Sequence, residues 1–161
     1  KMNNLQKDAD RREGGLSSAD MKEIISKLQR NYSFFSDLLE DEVTELLDMS
    51  KNVSFESDSI IFNEGDIADR FFLVLTGEIG ITIGKKEVAR VRRGQLFGEM
   101  ALLEHIPRTA TATALKKSAL FSFPAEIIST VLPGLALKVV ISIARQMSEK
   151  LRETNSHILI S

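Results

Sequence analysis

The residue types and spacing within residues 97–112 could build an anion site. Gly98 permits a tight turn, and the backbone amides that follow it would point at a ligand from the start of a short helix. Arg108 carries a planar guanidinium that stays charged at any working pH and can grip a phosphate with two parallel hydrogen bonds. Glu99, when ionised, has only acceptors, so it suits a sugar hydroxyl. An anion site beside a hydroxyl acceptor fits a nucleotide.

A purely structural explanation competes for the same residues. A carboxylate in a first helical turn compensates the helix dipole, and an arginine farther along can simply pair with it. Pro107 and the Thr-Ala alternation of residues 109–112 favour binding instead. Proline fixes the turn before Arg108, so that turn, helix, turn and strand follow one another in the order of a ligand-binding loop. We therefore expect a binding segment.

The composition excludes several classes of function. The chain has 161 residues, of which 43% are hydrophobic, enough for one compact domain with a substantial core. Its formal net charge of −2 does not favour nucleic-acid binding. It has no cysteine and two separated histidines, so we expect no metal site, no cofactor and no enzyme activity. No apolar run is long enough to cross a membrane and no signal peptide is evident, so we expect a cytoplasmic protein.

The hydrophobic periodicity divides the chain into a tail and one domain. Residues 1–16 are polar and predict a tail or linker, and residues 17–161 predict the domain. Its helices fall in 17–50, its β-roll in 51–123 and its C-terminal helices in 124–158. Within the first part, Ser17 or Ser18 offers an N-cap, residues 31–36 read as a turn anchored by two phenylalanines, and a second helix follows. The residues predicted for one face of this second helix are Leu39, Val43, Leu46 and Leu47.

After residue 51 the period changes to that of short strands separated by glycine turns. The strands are predicted at 53–55, 59–62, 70–76, 78–83, 87–91, 109–114 and 118–123. This pattern predicts a mainly β fold with flanking α-helices: an antiparallel double-stranded β-roll, jelly-roll-like, with N-terminal helices and a long C-terminal helix. Strand 70–76 is apolar on both faces and should be central.

Two strands carry faces of small residues. Gly80 and Thr82 form one such face, opposite three isoleucines, and Ala110, Ala112 and Ala114 form the other. Small faces leave room for a ligand inside a roll, but they also let a tightly curved barrel close. Both readings remain open from the residues alone.

The C-terminal region predicts a long helix with two apolar faces. Pro124 suits the first turn of a short helix, and the long helix is expected from about Leu135 to Asn155. The residues at coiled-coil spacing are Leu137, Val140, Ala144, Met147, Leu151, Thr154 and Ile158. Such a stripe can also pack on its own chain, and the neighbouring Leu135, Val139 and Ile143 support that for the first half. We expect the second half to meet a partner helix in a homodimer.

The assembled motifs resemble the cyclic nucleotide-binding domain family over residues 17–155. The match rests on Phe97-Gly98-Glu99-Met100-Ala101-Leu102 followed by Pro107-Arg108-Thr109-Ala110, which resembles the family's phosphate-binding cassette. The resemblance implies a β-roll that holds a short phosphate-binding helix, with flanking helices that move when ligand binds. The implied ligand is cyclic AMP or cyclic GMP.

The resemblance also implies roles for individual residues. Glu99 would accept from the ribose hydroxyl and Arg108 would pair with the cyclic phosphate. For the phosphate, the further implied contacts are Thr109 and the backbone near Gly98, Met100, Ala101 and Ala110. For the base or ribose they are Leu96, Phe97 and Val91. For the base alone they are Thr154 and Asn155. Thr109 leaves the choice between cyclic AMP and cyclic GMP open, since threonine at this position is typical of cyclic GMP kinases and also occurs in sites that take both.

The expected function is that of a sensor module whose ligand biases a dimer or an attached effector outside this chain. The sequence ends at Ser161 without a helix-turn-helix, so we expect no DNA binding from it. The alternative is a structural or protein-interaction domain of the same fold that binds no nucleotide.

Overall fold

The chain folds as a β-roll with helices before and after it in the sequence, which confirms the predicted fold class. The computed structural model describes residues 17–129 and 133–160, with side chains in 17–127 and 134–153, so the predicted tail lies outside the described residues. The helices are α1 Ser18–Asn31, α2 Ser33–Ser36, α3 Glu40–Met49, α4 Met100–Glu104, α5 Glu126–Ser129 and α6 Pro133–Ile160. The strands are β1 Lys51–Phe55, β2 Ile60–Phe62, β3 Arg70–Thr76, β4 Glu78–Ile83, β5 Lys86–Arg92, β6 Leu96–Phe97, β7 Thr111–Ala114 and β8 Ser118–Pro124.

Helices α1 and α3 begin where a side chain accepts from one of the first free amides. The Ser17 hydroxyl accepts from the Asp20 amide at 3.1 Å and caps α1. The Glu42 carboxylate accepts from the Leu39 amide at 2.9 Å and caps α3. Because α3 begins only after Leu39, that side chain is 66% exposed, and its predicted place on the buried helix face is wrong. The predicted turn at residues 31–36 contains the short helix α2.

Two antiparallel four-stranded sheets form the roll. The first has the order β1-β8-β3-β6 and the second the order β2-β7-β4-β5. Strands β3 and β4 have the predicted bounds, and β3 is internal as expected. Strand β6 has only two residues, too few to show an alternation of apolar and polar residues, so it was not predicted.

Successive residues of β3 contribute their side chains to two separate cores, because side chains in a strand point alternately to opposite faces. Phe71 and Leu73 pack against the helices in what we call the helical core. Phe72 and Val74 pack between the two sheets in what we call the roll core. The first sheet is therefore covered on both sides.

The pairing of β4 with β7 places their side chains relative to the roll. Ile79 is paired with Ala114 and Ile81 with Ala112, so the isoleucine and alanine faces share the inner side. Gly80 is paired with Thr113 on the other side, where a Cβ on Gly80 would meet Leu115 at 3.0 Å. The small residues of β7 therefore face the interior as one reading had it, whereas for Gly80 and Thr82 that reading is wrong.

Helix α6 lies against the helical core with its first half. Leu135, Val139 and Ile143 are buried, which confirms the expected inward packing. Ion pairs from Lys138 to Glu42 and from Arg145 to Asp37 fasten α6 to the N-terminal helices. Pro124 ends β8 rather than opening a helix, a correction to the prediction. Among the helices of residues 17–129 and 133–160, none is long and apolar enough to cross a membrane.

Candidate functional site

A cavity of about 360 Å³ opens from the roll core, bounded by α4, β5, β6 and α6. It is large enough for a small-molecule ligand. Nine of the twelve predicted site residues line it: Val91, Phe97, Gly98, Glu99, Met100, Ala101, Arg108, Thr109 and Ala110. The structure thus brings most of the predicted segment around one cavity.

Gly98 makes the close approach of backbone and arginine possible. Its φ of +80° lies in the left-handed region that other residues resist. A Cβ at this position would lie 2.9 Å from Nη1 of Arg108 and 3.4 Å from the rings of Phe62 and Phe72. Only glycine therefore fits here without displacing the guanidinium.

Arg108 is held at the base of the cavity, with one of its three side-chain nitrogens buried and without a hydrogen-bond partner. Its side chain is buried, with only 5% of the residue exposed. Nη1 donates to the carbonyl of Gly98 and Nη2 to the carbonyl of Arg70, while the guanidinium lies over the ring of Phe62 at 4.1 Å from the centroid. Nε is buried and has no hydrogen-bond partner. An unsatisfied buried donor is costly, and an anionic acceptor would remove that cost.

The surroundings of Arg108 act on its pKa in opposite directions. Burial lowers the pKa of Arg108 below its ordinary value, while Asp69, Glu99 and Asp66 act to raise it. Because a guanidinium starts so far above neutrality, it stays charged through the working range. The cavity therefore holds a desolvated cation, which is the property that an anion-binding site requires.

Glu99 is even more deeply buried, at 3% exposure, and it lies one residue before α4. Its Oε1 accepts from Nζ of Lys150 on α6 at 3.4 Å. This contact uses one carboxylate oxygen, and a carboxylate has a second oxygen with its own acceptor sites. Glu99 can therefore keep the lysine and still accept from a ligand hydroxyl.

Three predicted residues lie elsewhere. Leu96 belongs to the helical core and does not line the cavity, because it neighbours Phe97 in β6 and so points to the opposite face. Its predicted place beside a base or ribose is therefore corrected. The side chains of Thr154 and Asn155 lie outside the described residues, so their predicted contacts with a base stay predictions.

The sequence reasoning missed several lining residues. The polar ones are Arg90, Gln95, Lys150 and Glu153, and the apolar ones are Phe62, Ile81 and Ala89. A signal for the helix residues was present: positions 146, 150 and 153 continue, at helical spacing, the buried stripe that runs through 135, 139 and 143. The face that packs on the core turns polar where it reaches the cavity.

A second, larger cavity of about 520 Å³ lies on the other side of α4. Its lining is mostly apolar and includes Ile67, Leu102 and Ile106. Its lining has His105 and Glu126 as ionisable side chains, and no arginine or lysine. Within the part of the chain that the structure describes, no three side chains of His, Asp or Glu come together as a metal site.

Comparison with known proteins gives a family. The model of the cyclic nucleotide-binding domain family matches residues 52–132. A cGMP-dependent protein kinase of Toxoplasma gondii is 32% identical over 63% of this chain and 10% of its own length. A cAMP-dependent protein kinase regulatory subunit of Candida albicans is 29% identical over 62% of this chain and 21% of its own. The chain thus matches a small part of either protein.

A solved structure agrees with both the fold and the sequence match. The crystal structure of a cyclic nucleotide-binding domain from Methylobacillus flagellatus has a TM-score of 0.73 and 25% identity, over 88% of this chain and 83% of that one. The family is one of regulatory and sensor domains. The cavity, the cassette segment and these matches agree, and the chain belongs to the cyclic nucleotide-binding domain family.

Proposed function

We propose that this chain is a sensor that binds cyclic AMP or cyclic GMP in the cavity beside α4. The observation that carries the proposal is the buried guanidinium of Arg108, whose Nε lacks a partner, in the same cavity as the buried carboxylate of Glu99. A cyclic nucleotide presents the two groups that these residues suit, an anionic phosphate and a ribose hydroxyl.

In this proposal the phosphate lies against Arg108, the backbone near Gly98, Met100 and Ala101, and the exposed Thr109. The ribose hydroxyl donates to Glu99. Val91 and Phe97 supply apolar surface beside the sugar or base. The matches to a cGMP-dependent kinase and to a cAMP-dependent regulatory subunit support this ligand class, and Thr109 leaves the choice of base open.

The signal is proposed to leave the cavity through α6, which contributes Lys150 and Glu153 to the lining. A ligand shifts the position of a helix only by as much as it prefers one arrangement over the other. Residues that touch both the ligand and α6 supply that preference. The recipient is a dimer partner or an effector attached to this chain.

The dimer itself is proposed on an exposed apolar stripe of α6. Leu137 and Leu151 are 61% and 63% exposed, and Ile141 lies between them along the helix. Such a stripe fits a second copy of the same helix, as in a coiled coil. Sedimentation equilibrium of the chain and of a Leu137→Glu/Leu151→Glu variant tests this: a monomeric parent chain would refute the dimer.

Isothermal titration with cyclic AMP and with cyclic GMP tests the binding proposal. We expect saturable binding of at least one of the two, with inorganic phosphate binding far more weakly because it lacks the ribose. Binding of neither at millimolar concentration would refute the proposal and would favour a domain of this fold that binds no nucleotide. The ratio of the two affinities gives the base preference.

A further inference from the structure

Helix α6 completes the open edge of strand β6. This two-residue strand pairs with β3 on one side only, at the end of its sheet. On the other side Gln146 takes the place of a strand: its Oε1 accepts from the Leu96 amide at 2.8 Å, and its Nε2 donates to the Gly94 carbonyl at 3.3 Å. Lys150 continues the series and donates to the Leu96 carbonyl at 3.0 Å. Backbone groups that would otherwise lack partners thereby fix the position of α6.

The ammonium of Lys150 makes a second contact, to Oε1 of Glu99 at 3.4 Å. One cation thus bridges the edge of β6 and the carboxylate beside the cassette helix. Its side chain is 39% exposed, whereas that of Glu99 is 4% exposed, so the carboxylate has few other ways to be solvated. A buried carboxylate repels an incoming phosphate unless a cation accompanies it.

We infer that Lys150 is a positioning residue for the proposed nucleotide site: through its contact at 3.4 Å it holds the Glu99 carboxylate in the orientation that accepts from the ribose 2′-hydroxyl. The inference rests on the proposed function and adds the residue by which α6 acts on the ligand. Because Lys150 uses one carboxylate oxygen, lysine and ribose bind Glu99 together and do not compete. Ligand binding and the docking of α6 then strengthen each other through this side chain.

The structure provides a matched control. Lys138 is also a lysine of α6 that pairs with a buried glutamate, Glu42, but this pair joins α6 to α3 and does not line the cavity. A Lys138→Met variant loses a comparable ion pair of α6 without touching the site. It therefore separates a general loosening of the helix from an effect on Glu99.

The inference is tested by a double-mutant-type cycle, in which one change is made in the protein and the other removes the 2′-hydroxyl of the ligand. Cyclic AMP and its 2′-deoxy analogue are titrated into the parent chain and into the Lys150→Met, Lys150→Arg and Lys138→Met variants. We expect Lys150→Met to weaken cyclic AMP about tenfold and the 2′-deoxy analogue less than about twofold, because the analogue cannot donate to Glu99. Lys150→Arg should restore most of the loss, and Lys138→Met should leave both affinities within about twofold.

Every other pattern overturns the inference. An equal loss for both ligands would mean that Lys150 acts only through helix packing or overall charge. Tighter binding by Lys150→Met would mean that the lysine competes with the ribose, and unchanged affinities would mean that it has no part in binding. If the parent chain binds cyclic GMP but not cyclic AMP, the same series is measured with cyclic GMP and its 2′-deoxy analogue. Binding of neither nucleotide is a separate result, which refutes the proposed function and this inference together. Thermal melting of each variant confirms that it is folded.

Discussion

The helical core and the roll core share strands β3, β6 and β8 but are built for different purposes. In the helical core the rings of Phe34, Phe71 and Phe123 are all fully buried and lie 5.1 to 6.3 Å apart. In the roll core Phe72 and Phe97 stack at 5.0 Å, but the core then opens into the cavity that contains Arg108. Dense apolar packing stabilises the first, whereas the second keeps a desolvated cation beside a cavity.

The largest effect on stability is expected from the helical core. Phe123→Ala removes a fully buried ring that contacts both Phe34 and Phe71, and it should lower the free energy of unfolding by about 3–5 kcal/mol. Urea denaturation measures this. The affinity of the folded fraction for cyclic nucleotide should change less than threefold. A loss of affinity in proportion to the loss of stability would show that the two cores are not separable.

Arg108→Ala should show the opposite behaviour. It removes the charge partner of the phosphate, so affinity should fall by about 3 kcal/mol, or roughly a hundredfold. Since burying the guanidinium is itself costly and leaves Nε without a partner, the free energy of unfolding should change by less than about 1 kcal/mol. Titration of the variant with cyclic nucleotide measures the change in affinity, and urea denaturation of the same preparation measures the change in the free energy of unfolding. A stability loss as large as that of Phe123→Ala would assign Arg108 a structural role.

Gly98→Ala should reduce affinity by about 1–2 kcal/mol, because the added Cβ strains the backbone at φ +80° and presses on Nη1 of Arg108. Gly84→Ala is the control: its φ is +60° and a Cβ there would meet no atom within 4 Å. It should lose similar stability through backbone strain but keep the parent's affinity. Equal affinity losses at the two glycines would contradict the steric explanation.

The smallest effect is expected where an ion pair joins the helices. The hydrogen bond from Lys138, and then that from the Leu39 amide, lower the pKa of Glu42 below its usual 4.5. The carboxylate therefore contributes stability above that value and loses it as the pH falls through the lowered pKa. Glu42→Gln should cost about 1 kcal/mol in urea denaturation at pH 7. At pH 3 the difference in the free energy of unfolding between the variant and the parent chain should be smaller. An unchanged difference would show that the ionised carboxylate of Glu42 is not its source.

Much of the fold could be predicted because its strands follow a simple period. Strands β3 and β4 were placed residue by residue, since glycine turns bound them and their apolar pattern is strong. Strand β6 was missed because its pairing depends on β3 and on the side chains of α6, contacts that no local pattern contains. Leu39 was misplaced because a carboxylate three residues later moves the start of its helix.

For the site, local sequence predicted the cassette and missed what tertiary contacts bring to it. Gly98, Glu99 and Arg108 lie within eleven residues, so their spacing alone predicted that they belong to one binding segment. Lys150 and Phe62 come from distant elements, and a lysine on a helix face is ordinarily a solvated charge. The family resemblance predicted Leu96 beside the base or ribose. Since β6 was not predicted, the alternation of Leu96 with Phe97 could not be used to correct this.

The position of β8 late in the chain affects the order in which the roll folds during synthesis. Strand β8 pairs with β1 and with β3, at separations of about forty to seventy residues along the chain. It contributes Phe123 to one core and Leu120 to the other. Pairings over such distances form slowly. During synthesis the apolar strand β3 therefore lacks its partner β8 until residues 118–124 have emerged. The roll core can close at that point, whereas the helical core is complete only after Leu135, Val139 and Ile143 of α6 have followed.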